Sequence, residues 1–233
     1  MCQYQRNMQP GSISYKINNT FTKLVQLKYY LIFRKFKEFT MIPGVTYIEN
    51  LKLAEHFGDI DGCVVECGTW RGGMIGGVAQ LLGNREYHLF DSFEGLPEAK
   101  EVDGAAAIAW QNDKNSPGYF DNCSAEMGFA EKAMKLSGAQ NYFIKKGWFS
   151  ETLPHFDKSK KIAILRLDGD WYESTMDCLT NLYDNVVPGG VIIMDDYYAW
   201  DGCARAVHDF LSRRNLPDRI MQWNNNICYI LKK

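Results

Sequence analysis

Two apolar runs that each stop at a pair of acids constrain this chain more than any other feature. Residues 161–171, Lys-Ile-Ala-Ile-Leu-Arg-Leu-Asp-Gly-Asp-Trp, read as a buried strand that ends at Asp168 and Asp170 with Gly169 between them. Side chains alternate faces along a strand, so both carboxylates are expected on one side, and the glycine lets another group approach the backbone. Gly190-Val-Ile-Ile-Met-Asp-Asp-Tyr197 follows the same plan and ends in Asp195 and Asp196. Like charges gathered at strand ends raise one another's pKa unless a cation compensates them. The arrangement asks for a metal.

With 233 residues, 46% hydrophobic and 14% aromatic, the chain can bury one sizeable core, and its alternation of strands and helices suits a single α/β domain. That domain is expected over residues 41–233, after an N-terminal extension at 1–40. The extension carries seven Lys/Arg against Glu38, a net +6, which leaves −8 for the rest of a chain whose total is −2. The body therefore has no basic footprint for nucleic acid. Seven cysteines without CxxC spacing, an odd count, and a Met1–Pro10 stretch unlike a signal peptide point to reduced thiols in a cytoplasmic protein. No charge-free apolar run approaches the roughly 18 residues that a membrane span needs. Asn18-Asn19-Thr20 and Asn122-Cys123-Ser124 fit the glycosylation tripeptide, which a cytoplasmic chain would leave unmodified.

Residues 1–15 read as a loose tail, and apolar positions from Phe21 to Phe39 follow helical spacing among lysines and arginines. Packing of this helix on the core or on a second copy is favoured over attachment to a membrane, and it is a candidate contact for a homo-oligomer. A helix over Val45–Phe57 leads to the strand Cys63-Val-Val-Glu-Cys67, a turn at Gly68, and a helix opened by Gly72 and Gly73. Strand, glycine turn and helix N-terminus form a nucleotide or nucleoside cradle at the carboxyl edge of a parallel sheet. The spacing is not GxGxxG, and Glu66 would repel a pyrophosphate. That disfavours NAD and points to S-adenosylmethionine, whose amino-acid end is cationic. The strand Glu86–Asp91 ends about 25 residues after Glu66, near the spacing at which such folds place a ribose-binding acid. Residues 92–122 are long and polar and read as a substrate lid, with Asp103, Asp113 and Asp121 as surface charges. A helix over Ala125–Leu136, a third strand from Asn141, and a turn carrying Trp148 and Phe149, either of which suits an adenine pocket, complete the first half. Tyr172–Val187 is expected as a crossover helix ended by Pro188-Gly189-Gly190. A helix from Gly202 holds His208, read as a packed or surface histidine, and Arg219–Leu231 forms a hairpin about Asn224-Asn225-Asn226.

Five segments occur in order: Glu66-Cys-Gly-Thr-Trp-Arg-Gly-Gly, Asp91-Ser-Phe-Glu-Gly-Leu-Pro, Gly147-Trp-Phe-Ser-Glu-Thr-Leu-Pro, Leu167-Asp-Gly-Asp-Trp-Tyr-Glu-Ser-Thr and Met194-Asp-Asp-Tyr. Together they resemble the macrocin O-methyltransferase (TylF-type) family over residues 41–233. The resemblance implies a Rossmann-like class I methyltransferase fold with a seven-stranded, mostly parallel sheet, helices on both faces and a closing hairpin. It also implies S-adenosylmethionine as donor, a divalent cation, usually Mg²⁺, and a sugar hydroxyl on a small-molecule glycoside as acceptor. Transferred onto this chain, the family pattern makes Asp168, Asp195 and Asp196 the metal ligands and Asp170 the general base. It assigns donor binding to Glu66, Gly68 and Thr69 at the methionine end, Asp91 and Ser92 at the ribose, and Trp148, Phe149 and Ser150 near adenine. A catechol-like vicinal diol is the alternative acceptor, and a non-catalytic S-adenosylmethionine-binding protein the alternative class.

Overall fold

The computed structural model describes residues 26–233. The expected tail, Cys2, the Asn18 tripeptide and the start of the 21–39 helix lie outside the described residues. Helix α1 covers 26–36 and buries Tyr29, Ile32 and Phe36 against the body of the protein. Helix α2 (Gly44–His56), β1 (Cys63–Cys67), α3 (Gly73–Leu82) and β2 (Glu86–Asp91) follow. Next come α4 (Ala105–Asn112), α5 (Met127–Ser137), β3 (Asn141–Lys146), the single turn α6 (Phe149–Thr152) and β4 (Ile162–Leu167). The chain ends with α7 (Tyr172–Leu182), β5 (Val186–Met194), α8 (Asp201–Arg213), β6 (Ile220–Trp223) and β7 (Ile227–Leu231). Among the described residues no helix is long and apolar enough to cross a membrane.

The strands form one seven-stranded sheet in the order β3-β2-β1-β4-β5-β7-β6. Strands β1 to β5 are parallel, and β7 returns antiparallel to β5 to close the hairpin with β6. The fold class expected from the sequence is the one observed. Every residue of β1 and β4 is buried, as strands covered on both faces require. One face carries Val64, Ile164 and Ile193 under α1, α2, α3 and α5; the other carries Val65, Leu165 and Ile192 under α7 and α8. Chain direction reverses its progress across the sheet between β1 and β4, which opens a crevice at their carboxyl ends.

Two expectations are corrected here. The crossover helix stops at Leu182, and Pro188-Gly189-Gly190 lies inside β5 instead of preceding it. Ile162 pairs with Val186 whereas Ile164 pairs with Val191, so the intervening residues of β5 bulge out of the ladder. Pro188 has no N–H to give to a ladder, and bulges are where a strand tolerates that. The second correction is Asp103, expected on the surface but only 3% exposed. Its Oδ1 accepts the backbone N–H of Tyr172 at the start of α7 at 2.7 Å, and its Oδ2 accepts that of Lys100 at 2.8 Å.

Residues 92–122 are thus a folded flap with α4 inside it, pinned to the domain at Asp103. Trp171 donates its indole N–H to Pro97 O at 3.0 Å, and Gln111 donates to the same oxygen at 2.9 Å. Trp110 from the flap meets Trp171 and Trp200 edge to face. Replacing Asp103 by Ala strands a buried N–H at the α7 terminus and is expected to cost about 1–3 kcal/mol of stability. Urea unfolding followed by circular dichroism measures it, and an unchanged midpoint would remove the anchor role.

Candidate active site

A cavity of about 420 Å³ fills the crevice at the carboxyl ends of the parallel strands. The loops after β1 and β4 touch at its floor. Gly68 sits at φ +87°, where an added Cβ would lie 1.6 Å from the carbonyl oxygen of Asp168, so only glycine fits. Its N–H donates to Phe90 O at 2.9 Å, which ties the turn to the end of β2.

Asp91 organises the neighbouring loops. Its Oδ2 accepts the Trp70 N–H at 2.7 Å and its Oδ1 the Phe93 N–H at 2.6 Å. Burial raises its pKa while those N–H groups oppose the shift. The Gly147 N–H donates to Asp91 O at 3.0 Å and so brings Trp148, Phe149 and Ser150 to the wall of the cavity. Gly68, Asp91 and Ser92 line it with them. Glu66 and Thr69 do not. Thr69 is buried with its hydroxyl 3.5 Å from Phe90 O, and Glu66 lies beneath the floor on the α2/α3 side of the sheet.

Asp168, Asp170, Asp195 and Asp196 all reach the cavity. Strand alternation is not what aligns the first two, because β4 ends at Leu167. A turn at Gly169 and a left-handed Asp170 (φ +57°) carry the second carboxylate round. That turn is held from two sides: the Asp170 N–H donates to Asp196 Oδ2 at 2.9 Å, and Trp200 donates its indole N–H to Asp170 Oδ1 at 2.9 Å. Asp168, Asp195 and Asp196 each offer an oxygen within 4.8 Å of the others. Three carboxylate oxygens so placed fit one hard divalent cation of the Mg²⁺ kind.

One functional residue escaped the reading of the sequence. Arg166 lies directly across from Glu66 in the β1–β4 register, and its side chain is only 5% exposed. Its Nη1 reaches Glu66 Oε1 at 3.2 Å and Asp168 Oδ2 at 2.7 Å, and its Nη2 reaches Asp195 Oδ1 at 2.5 Å. The acids therefore already have one resident cation. The available signal was a pair of rule violations, a charged residue in each of two otherwise apolar strands. Recognising them as partners requires the strand order. Among the described residues Glu66 Oε2, Arg166 Nε and Asn50 Oδ1 find no partner, and they belong to residues bordering a cavity of about 10 Å³, the scale of one water.

One guanidinium does not balance this cluster. Burial pushes Asp170 up to about 8, with the charge of Asp168 adding to it. Burial likewise pushes Asp168 up to about 6 and Glu66 up to about 8, with Arg166 opposing both. Asp196 rises through burial and then through Asp170 and Asp168. Against the pull of burial, Asp168, Asp195 and Glu66 keep Arg166 protonated. His208 is elsewhere, exposed on α8 with its Nε2 2.9 Å from the Tyr197 hydroxyl.

The family described as macrocin-O-methyltransferase (TylF) matches residues 38–232. The 8-demethyl-8-(2,3-dimethoxy-alpha-L-rhamnosyl)-tetracenomycin-C 4'-O-methyltransferase of Streptomyces olivaceus is 35% identical over 193 residues, covering 78% of this chain and 71% of the relative. Demethyldecarbamoylnovobiocin O-methyltransferase of Streptomyces niveus is 34% identical over 198 residues, covering 82% and 74%. The solved O-methyltransferase NovP is similar with a TM-score of 0.68 at 27% identity, over 84% of this chain and 82% of that one.

Because Asp91 braces both the Trp70 turn and the Phe93 turn, Asp91→Asn turns an amide N–H₂ against a backbone N–H. Affinity for S-adenosylhomocysteine should fall by about tenfold or more, on the order of 1.4 kcal/mol, in isothermal titration. Wild-type affinity in that variant would remove Asp91 from the donor site.

Proposed function

This chain belongs to the TylF macrocin-O-methyltransferase family, and we propose that it methylates a sugar hydroxyl of a small-molecule glycoside with a divalent cation held by Asp168, Asp195 and Asp196. As a family member it is an S-adenosylmethionine-dependent O-methyltransferase. The observation that carries the ion reading is the set of three carboxylates with oxygens within 4.8 Å of one another, all three lining the cavity. The sugar reading draws on the named relatives and on the charge of the cavity. Among the described residues its lining holds seven carboxylates and no Lys or Arg. Such a field suits a cationic sulfonium donor and a neutral acceptor, and it opposes a phosphorylated one.

A sugar hydroxyl is a weak nucleophile, with a pKa near that of water at about 16, and a divalent cation lowers the pKa of an oxygen it touches by several units. Asp170 is the group that takes the proton. Its Oδ1 is held by Trp200 while its Oδ2 has no hydrogen bond among the described residues, and its backbone N–H keeps it beside Asp196 without making it one of the three. The proton passes from the acceptor oxygen to Asp170 as that oxygen takes the methyl group from sulfur. Gly68, Asp91, Ser92 and the Trp148–Ser150 wall hold the donor. Glu66, set below the floor and paired with Arg166, is not among the groups that touch the donor. The flap, through Leu96 and Pro97, and the Met41-Ile42-Pro43 segment give the cavity its apolar sides, which exclude water and suit an apolar aglycone.

A methyl-transfer assay against a rhamnosyl glycoside, a nucleoside-diphosphate sugar and a catechol tests the acceptor class, and preference for the phosphorylated sugar would contradict it. Asp195→Asn combined with Asp196→Asn should abolish turnover with Mg²⁺ while S-adenosylhomocysteine affinity stays within about threefold of wild type. Asp170→Asn should lower kcat by about 10²–10⁴-fold with Mg²⁺ affinity nearly unchanged. An unaltered kcat would leave Asp170 a bystander.

A further inference from the structure

We propose that Arg166 is a positioning residue for the ion site, bridging Asp168 and Asp195 from beneath so that each carboxylate presents a single oxygen to the cavity. The inference rests on the ion reading above and adds to it how the site is set and which cation it prefers. The two acids follow adjacent paired strands, Asp168 after β4 and Asp195 after β5, and the Asp195 N–H donates to Leu167 O at 2.9 Å, so the ladder fixes their backbones while the spacing of their carboxylates depends on what the side chains bond. Arg166 bonds to both. Nη1 takes Asp168 Oδ2 at 2.7 Å and Nη2 takes Asp195 Oδ1 at 2.5 Å. A planar fork with two nitrogens in fixed relation sets a distance between two carboxylates, which a lysine, with one nitrogen on a flexible stem, does not. The fork itself is held in place from the far side. Glu66, its cross-strand neighbour, takes Nη1 at 3.2 Å, and the guanidinium lies in the sheet wall outside the main cavity.

The third acid is constrained in the same manner by another donor. Asp196 Oδ2 accepts the Asp170 N–H at 2.9 Å. In all three carboxylates, then, one oxygen is occupied by the protein, and the other has no hydrogen bond among the described residues. Single-oxygen ligation from three acids suits Mg²⁺, which takes six ligands in a tight octahedron. Ca²⁺ prefers six to eight oxygens and often takes carboxylates through both. A carboxylate whose second oxygen is spent on Arg166 is poorly placed to serve Ca²⁺ in that way.

Isothermal titration of MgCl₂ and CaCl₂ into the metal-stripped full chain, wild type and Arg166→Lys, with S-adenosylhomocysteine titrated separately, tests this. Wild type should bind Mg²⁺ more tightly than Ca²⁺. In Arg166→Lys the positive charge remains and the fork is gone, so Mg²⁺ affinity should fall by about 10–100-fold. Ca²⁺ affinity should fall less, and S-adenosylhomocysteine affinity should stay within about threefold, because Arg166 does not line the cavity. Arg166→Lys with wild-type Mg²⁺ affinity overturns the inference. A parallel loss of Mg²⁺, Ca²⁺ and S-adenosylhomocysteine binding, which marks a purely structural residue, overturns it too. Should the variant not fold, the wild-type comparison decides alone, and Ca²⁺ binding as tight as Mg²⁺ overturns the positioning role while sparing the ion site. Wild type that binds neither cation takes down the ion reading itself and this inference with it.

Discussion

Glu66 and Arg166 face each other across two adjacent strands that are otherwise wholly apolar and wholly buried. Removing such charges from water costs several kcal/mol per ion, and a well-packed apolar pair is often as stable or more so. The pair is therefore poorly explained as a source of stability. Its effect is on placement. Arg166 is held by Glu66 behind it and grips Asp168 and Asp195 in front, so on top of the β4–β5 ladder the two carboxylates keep a fixed relation at the edge of the cavity. The Gly68 turn rests on the Asp168 carbonyl, so the donor side of the cavity is registered to the same point. Deleting Arg166 would leave three acids without their one resident cation, a loss of about 3–5 kcal/mol in comparable cases.

The same electrostatics organise the cavity above. Burial and mutual repulsion raise Asp168, Asp170 and Asp196 together, which describes a cluster short of positive charge even with Arg166 in place. A sulfonium donor, and the divalent cation proposed above, would both supply what is missing. The flap is anchored beside this field through Asp103 and the three tryptophans. Trp200 belongs to both systems, stacking edge to face in the flap contact and donating to Asp170. The packing of the flap and the orientation of the Asp170 carboxylate thereby share one side chain.

Much of this was legible in the sequence because the signals are local. Apolar runs of strand length gave β1, β2, β4 and β5, their terminal acids marked the carboxyl edge of the sheet, and Asn224-Asn225-Asn226 marked the closing hairpin. The chain's membership of the TylF family followed from five motifs in order. What stayed hidden depends on pairing between distant segments. Arg166 is an isolated polar residue in a strand until the order of strands sets it opposite Glu66, 100 positions earlier. Asp103 is an ordinary flap acid until α7 brings the Tyr172 N–H to it. Pro188-Gly189-Gly190 reads as a helix stop because its usual role is punctuation, and only the unequal register of β4 and β5 reveals a bulge. Asp168 and Asp170 do share a face, but through a left-handed turn that no alternation rule contains.

A crystal structure of the Mn²⁺-soaked protein with anomalous diffraction data would examine this arrangement at the atoms concerned. The account predicts one anomalous peak among Asp168, Asp195 and Asp196, with the Arg166 guanidinium still bonded to Asp168 and Asp195 beneath it. No peak at the three acids, or a peak accompanied by Arg166 turned away from both carboxylates, would contradict it.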